Sequence, residues 1–142
     1  MQVDNILQSK GTVVHTVPTG APVAEAVRLL NERRIGAVVV TDAAGAVAGI
    51  LSERDIVRHL GGDPEELLAS PVSNIMTKTV ITCGRDTPVS ELMEQMTRYR
   101  IRHIPIVEEG TLVGIVSIGD VVKRKIEETE QEALALREYI SS

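Results

Sequence analysis

Aromatic side chains are almost missing from this chain: its 142 residues include two tyrosines, Tyr99 and Tyr139, and no phenylalanine or tryptophan. The core must then be aliphatic, and the stacking platforms on which single-stranded nucleic acid is held are lacking. Net positive charge is lacking too. A net charge of −5 and a pI near 5.2 argue against binding to a phosphate backbone, so no nucleic-acid partner is expected. Cysteine occurs once, at Cys83, which excludes an internal disulfide, and no group of Cys and His has the spacing of a metal site. No apolar run is long enough to span a bilayer. The opening Met1-Gln2-Val3-Asp4-Asn5 lacks the basic and apolar regions of a signal peptide. The expectation is a cytoplasmic protein with no membrane partner. Catalytic signatures are also missing: there is no nucleophile and base in a motif context and no Gly-x-x-x-x-Gly-Lys phosphate loop. No catalytic residue is assigned, and an enzyme is not expected.

What is present is repetition. With 43% hydrophobic and 25% charged residues, the composition is that of one globular domain, or of two small halves sharing a core. Val3-Asp4-Asn5-Ile6-Leu7 recurs as Val72-Ser73-Asn74-Ile75-Met76, and Pro22-Val23-Ala24-Glu25 as Pro88-Val89-Ser90-Glu91. Gly49-Ile50-Leu51-Ser52-Glu53-Arg54-Asp55 recurs as Gly114-Ile115-Val116-Ser117-Ile118-Gly119-Asp120. The offset falls from 69 (3 to 72) to 66 (22 to 88) to 65 (49 to 114). The first copy therefore carries three extra residues near Ser9-Lys10-Gly11 and one in the turn at 42–45. Self-similarity of this kind is the mark of a repeated structural unit.

Both copies predict the same elements. A short helical turn, capped by Asp4 or Ser73, comes first. Extended segments rich in β-branched residues follow at 12–16 and 79–82. Pro22 and Pro88 are expected at the first position of a helix, with Thr87 as a sound N-cap and Ala21 as a poor one. Apolar residues at i, i+3, i+4 and i+7 (Val23, Ala26, Val27, Leu30; Val89, Leu92, Met93, Met96) give each helix one buried face. The runs 37–40 and 104–107 are too apolar to be exposed on either side, and a tight turn joins each to a strand ending in Ser52 or Ser117. The unit is β-α-β-β-α. Neither copy covers its own sheet alone, so packing about a pseudo-twofold axis is expected. Between the copies, Gly61-Gly62-Asp63-Pro64-Glu65-Glu66 predicts a hinge and a short capped helix.

The repeated Ser-x-x-Asp is a strand running into a helix N-terminus. By itself such a junction is a cap. It also gathers unpaired amides, the positive end of a helix dipole, a hydroxyl, and a carboxylate able to accept from both hydroxyls of a vicinal diol. Its occurrence twice, each time after the same Gly-led strand, points to ligand binding as well.

Through residues 49–58 and 114–123, Ile101-Arg102-His103-Ile104-Pro105-Ile106-Val107 and Val72-Ser73-Asn74-Ile75-Met76-Thr77, the chain resembles a free-standing tandem pair of cystathionine β-synthase (CBS) domains, a Bateman module. The resemblance covers nearly all of residues 3–125. It implies an α/β (α+β) fold of two CBS β-α-β-β-α repeats about a pseudo-twofold axis, with a long C-terminal helix. Repeat 1 would span 3–60, a linker with a short helix 61–71, repeat 2 72–125, and an extension of the last helix 126–142. It further implies a non-catalytic regulatory module that binds adenosine-containing ligands (AMP, ADP, ATP, NAD(H) or S-adenosylmethionine) and modulates a partner protein such as an enzyme. Two clefts are implied. One would combine His15, Ile35, Gly36 and Ala37 with Ile115, Ser117, Gly119 and Asp120. The other would combine Ile81, Ile101, Arg102 and His103 with Ile50, Ser52, Arg54 and Asp55. In the family the Asp takes the ribose hydroxyls, the Ser and helix N-terminus take phosphate, and strand backbone reads the adenine edge. Such pairs usually form homodimeric discs.

Arg54, Arg102 and His103 would put positive charge beside a phosphate in the second cleft, which is therefore expected to prefer phosphorylated ligands. The first cleft has only His15 or Lys10 to offer. Arg102 as a solvated base and His103 as a half-buried structural histidine are the plainer alternatives. Cys83 is a small packing residue unless the neighbouring Arg85 lowers its pKa. Val122, Ile126, Thr129, Ala133, Leu136 and Ile140 repeat by fours and threes along the last helix, a heptad seam that a second subunit or the domain itself must cover. A ligand-free dimeric interaction scaffold acting through that helix is the alternative function.

Overall fold

The computed structural model describes residues 1–141; Ser142, the last residue of the expected helix extension, lies outside them. The first copy runs α1 (Val3–Lys10), β1 (Thr16–Pro18), α2 (Val23–Arg33), β2 (Ala37–Thr41), β3 (Val47–Ser52) and α3 (Glu53–His59). The linker helix α4 (Pro64–Ala69) follows, with Asp63 capping the Glu65 amide at 3.0 Å. The second copy runs through a 3-10 turn (Val72–Asn74), α5 (Val89–Tyr99), β4 (His103–Glu108) and β5 (Thr111–Ser117) into α6 (Ile118–Ser141).

The paired strands repeat closely. β2 and β3 are antiparallel, with Ala37 opposite Ser52 and a bulge between Val40 and Thr41. β4 and β5 are antiparallel, with His103 opposite Ser117 and a bulge between Ile106 and Val107. Val38, Val39, Val40, Ile104 and Ile106 are fully buried, as an apolar run covered on both faces must be. The first sheet has a third strand, β1, parallel to β2. Its expected counterpart at 79–82 is not a strand; a single parallel bridge between Cys83 and Ile106 stands in its place.

Pro22 and Pro88 have extended backbones (ψ 147° and 140°) and precede their helices as N-caps, so α2 and α5 begin one residue later than expected. The reason is a crossing chain. The Val23 amide donates to the Ser70 carbonyl at 2.9 Å, and the Val89 amide to the Met1 carbonyl at 3.0 Å. Thr87 caps nothing; its hydroxyl accepts from the Gly84 amide. The opening turns also differ from expectation. The first is a helix of eight residues preceded by Gln2, with Asp4 in its first turn, and the second follows Pro71.

These openings pack on the opposite copy. Val3, Ile6 and Leu7 belong to the core built from α5, β4, β5 and the start of α6, whereas Val72 and Ile75 belong to the core of α2, β2 and β3. The exchange is symmetric down to its backbone bonds: the Val3 amide donates to Thr87 at 2.9 Å, and the Val72 amide to Ala21 at 2.8 Å. The glycine that opens each repeated motif is explained here. A Cβ on Gly49 would lie 2.5 Å from Met76 Sδ, and one on Gly114 would lie 2.7 Å from Leu7 Cδ2. Each leading segment thus crosses the other copy's strand at the point where a side chain is missing.

Helix α6 is buried at Val121 and half-buried on that side as far as Glu128, and from Thr129 to Ser141 every residue is exposed. The domain does not cover the heptad seam.

Candidate functional site

Both Ser-x-x-Asp motifs form the expected helix starts. Ser52 Oγ accepts from the Asp55 amide at 3.3 Å, and Asp55 Oδ2 accepts from the Ser52 amide at 2.9 Å and its hydroxyl at 3.0 Å. At the second motif the Asp120 amide donates to Ser117 Oγ at 3.2 Å, and the Ser117 amide donates to Asp120 Oδ2 at 2.8 Å. Capping uses one oxygen of each carboxylate. Each motif is tied to the start of its neighbouring strand: the Glu53 amide donates to the Gly36 carbonyl at 3.0 Å, and the Ile118 amide to the Arg102 carbonyl at 2.8 Å.

Two cavities open at these junctions. The larger, about 580 Å³, brings Ile50, Ser52, Arg54 and Asp55 together with Ile101, Arg102 and His103. Ile81 does not line it. The smaller, about 340 Å³, brings His15, Ile35, Gly36 and Ala37 together with Ile115, Ser117 and Asp120, and Gly119 does not line it. Both volumes fall in the range of small-molecule sites, roughly 300–1,000 Å³.

Gly36 and His103 line both cavities. A Cβ on Gly36 would come within 3.0 Å of the His103 ring, so the glycine is what lets the imidazole lie between the clefts. Burial pushes the His103 pKa down; the Asp120 charge pulls the other way, while Lys10 adds to the fall. The neutral ring is a donor and acceptor rather than a fixed cation.

The larger cavity is more basic than the sequence motifs indicate. Arg58 and Arg100 line it beside Arg54 and Arg102. Arg100 ends α5 in a left-handed conformation (φ 54°), and Arg34 ends α2 in the same way (φ 53°) and lines the smaller cavity. Glycine is the usual residue at such a cap. Arginine at these two equivalent caps, where glycine would carry no strain, places one more guanidinium group at the edge of each cleft. That placement is readable only once the φ angles are known. Glu53, Thr77 and Tyr99 complete the larger wall, and Val13 and Val14 the smaller.

The clefts differ most at the carboxylate. In the larger, Thr77 exchanges backbone bonds with Ile50 at 2.9 and 3.0 Å, and its hydroxyl makes a long 3.4 Å bond to Asp55 Oδ1. In the smaller, the Lys10 ammonium does both tasks, donating to the Ile115 carbonyl at 2.8 Å and to Asp120 Oδ2 at 2.6 Å. Burial alone would raise the Asp120 pKa, but the Lys10 bond and charge and the Ser117 donors outweigh it and hold the carboxyl below its usual value. Lys10 lies in the three-residue insertion unique to the first copy. A neutral donor therefore meets Asp55, and a cation meets Asp120.

Cys83 is buried, its thiol 3.0 Å from Gln95 Oε1, and burial raises its pKa. Arg85 is drawn off to Asp4 at 3.1 Å. Cys83 is thus the packing residue expected, with its thiol not activated by Arg85. Among the described residues no Cys, His or acidic cluster is arranged to hold a metal, and no helix is long and apolar enough to cross a membrane.

The arrangement has close relatives. The family model described as the CBS domain matches twice, at residues 11–62 and 72–127. A CBS-domain containing protein from Agrobacterium tumefaciens is 46% identical, with 87% of this chain and 92% of that one covered at a TM-score of 0.83. A CBS domain protein from Pyrobaculum aerophilum, solved in complex with AMP, is 30% identical, with 84% and 89% covered at a TM-score of 0.75. The CBS domain pair of protein MJ0100, solved with 5′-methylthioadenosine and S-adenosyl-L-methionine, is 26% identical, with 90% and 98% covered at a TM-score of 0.79. The two matches fall on the two copies found in the sequence, and this chain belongs to the CBS domain family as a tandem pair of CBS domains.

Proposed function

We propose that the chain is a non-catalytic regulatory module. It binds an adenosine-containing ligand in the clefts between its repeats, prefers a phosphorylated one in the larger cleft, and passes the binding state to a partner protein as a homodimer. The observation that carries this reading is the lining of the larger cavity. A carboxylate with one oxygen used for capping stands at a helix N-terminus, and Arg54, Arg58, Arg100 and Arg102 share the same wall. A carboxylate suits the two hydroxyls of a ribose, and guanidinium groups suit phosphate oxygens. The AMP, methylthioadenosine and S-adenosylmethionine bound by the two ligand-bearing relatives support the adenosine class.

A thermal-shift panel of adenosine, AMP, ADP, ATP, NADH and S-adenosylmethionine tests the proposal. A ligand held at about a hundred times its Kd should stabilise the protein by roughly 2.7 kcal/mol, or about 3–6 °C in a chain of this length. Arg102→Ala should weaken AMP more than adenosine; equal losses would remove the phosphate role. The exposed extension of α6 favours a scaffold as the second reading. It predicts no shift with any nucleotide, and loss of self-association when the chain is cut after Lys125.

A further inference from the structure

Helix α6 has a face with no cover in the chain. Val121 is fully buried, and Arg124, Glu127 and Glu128 are half-buried on the same side. At about 100° per residue, Val122, Ile126, Thr129, Ala133, Leu136 and Ile140 form a stripe roughly 80° wide on the far side. Val122, Ile126, Leu136 and Ile140 are 49%, 54%, 59% and 73% exposed. Spacings of four and three match the seam of a coiled coil, with Ile126, Ala133 and Ile140 at a positions and Val122, Thr129 and Leu136 at d positions. Isoleucine holds two of the three a positions and leucine one of the three d positions, the residue types that favour two parallel strands.

The flanking charges select the occupant and its direction. Lys125 and Glu132 take g positions, and Lys123, Glu130 and Arg137 take e positions. In a parallel, in-register pair each g residue faces the e residue five further on in the other chain. Lys125 then meets Glu130 of the second copy, and Glu132 meets its Arg137, each contact occurring twice. In an antiparallel pair Glu130 meets Glu130, Glu132 meets Glu132, and Lys123 meets Arg137. Both parallel contacts are attractive; of the antiparallel ones the three between charged residues are repulsive, and the fourth sets Lys125 against Tyr139.

We propose that residues 122–140 of α6 form a parallel, in-register two-stranded coiled coil with the same segment of a second copy of this chain. This deepens the homodimer of the preceding reading and is independent of its nucleotide part. It puts both C-termini at one end of the assembly, the two pairs of clefts at the other.

The test uses the full chain carrying Leu136→Cys, oxidised and run on a non-reducing gel, with the outward-facing Glu138→Cys as control. Buried Cys83 provides the background in both. The parallel coil predicts a disulfide between the two 136 positions and little at 138. In the antiparallel arrangement the 136 positions lie about 15 Å apart along the axis, beyond the reach of a disulfide. Sedimentation supplies the second arm. Glu130→Lys should weaken the dimer about tenfold, and adding Lys125→Glu should restore it. A dimer with no 136 cross-link, or one that the double reversal fails to restore, overturns the coil and leaves the homodimer standing. A monomer at all concentrations overturns both.

Discussion

Asp55 and Asp120 sit at equivalent helix starts but meet different neighbours, and Lys10 is the reason. Because the folded-state pKa of Asp120 lies below its ordinary 3.8, its ion pair contributes stability above that value. The contribution is lost as pH falls through the folded pKa. Both side chains are partly shielded, at 30% and 23% exposure, so the pair is worth on the order of 1 kcal/mol. Lys10→Met should therefore lower stability by about that amount at neutral pH, with the difference shrinking below pH 3.8. Urea titrations at pH 7 and pH 3 check this, and a difference that stays constant with pH would refute it. Arg100 allows a second experiment at the same scale. Glycine relieves a left-handed backbone by about 1 kcal/mol, so Arg100→Gly should raise or preserve the melting temperature while weakening AMP binding. A loss of both would make Arg100 a structural residue only.

At the scale of elements, the crossing of each leading segment over the other copy's strand sets the tolerance of the two motif glycines. Gly114→Ala presses on the tip of Leu7, a side chain that can shift, whereas Gly49→Ala presses on Met76 and also on the Thr77 carbonyl at 2.9 Å. Overpacking of this kind costs about 1–3 kcal/mol. Gly49→Ala should fall at the upper end and Gly114→Ala at the lower, as read from denaturant midpoints. The elements themselves were largely legible. The Ser-x-x-Asp cap depends on contacts three residues apart, and the strand runs depend on apolar content, so both are written locally. Helices α2 and α5 begin one residue later than the prolines alone indicate because the first amide of each helix is claimed by a chain segment more than 45 residues away in sequence. The missing strand at 79–82 has the same kind of cause. β-branched composition makes a strand possible, but a neighbouring edge must be within reach, and only Cys83 finds one.

At the scale of the molecule, neither half owns a complete core. Val3, Ile6 and Leu7, all buried, fill the second half's core from the first half's leading helix. Removing residues 1–10 deletes three buried side chains worth about 1.5–3 kcal/mol each, a large share of the 5–15 kcal/mol typical of a domain. The shortened chain should lose hydrogen-exchange protection in β4 and β5, although those strands are untouched. Retained protection there would show that the second half folds alone.

The sequence by itself determined the repeat, the order of its elements and the two carboxylate corners, because these follow from local periodicity and from the matching of one copy to the other; most of the residues around each cleft were implied by the resemblance to the CBS family rather than by any local pattern. Only the tertiary structure decided that the copies exchange their leading segments, that Lys10 rather than a neutral donor meets Asp120, and that Arg58 and Arg100 join the larger cleft. Those outcomes depend on which side chains arrive at one place from distant parts of the chain, and no local pattern carries that information.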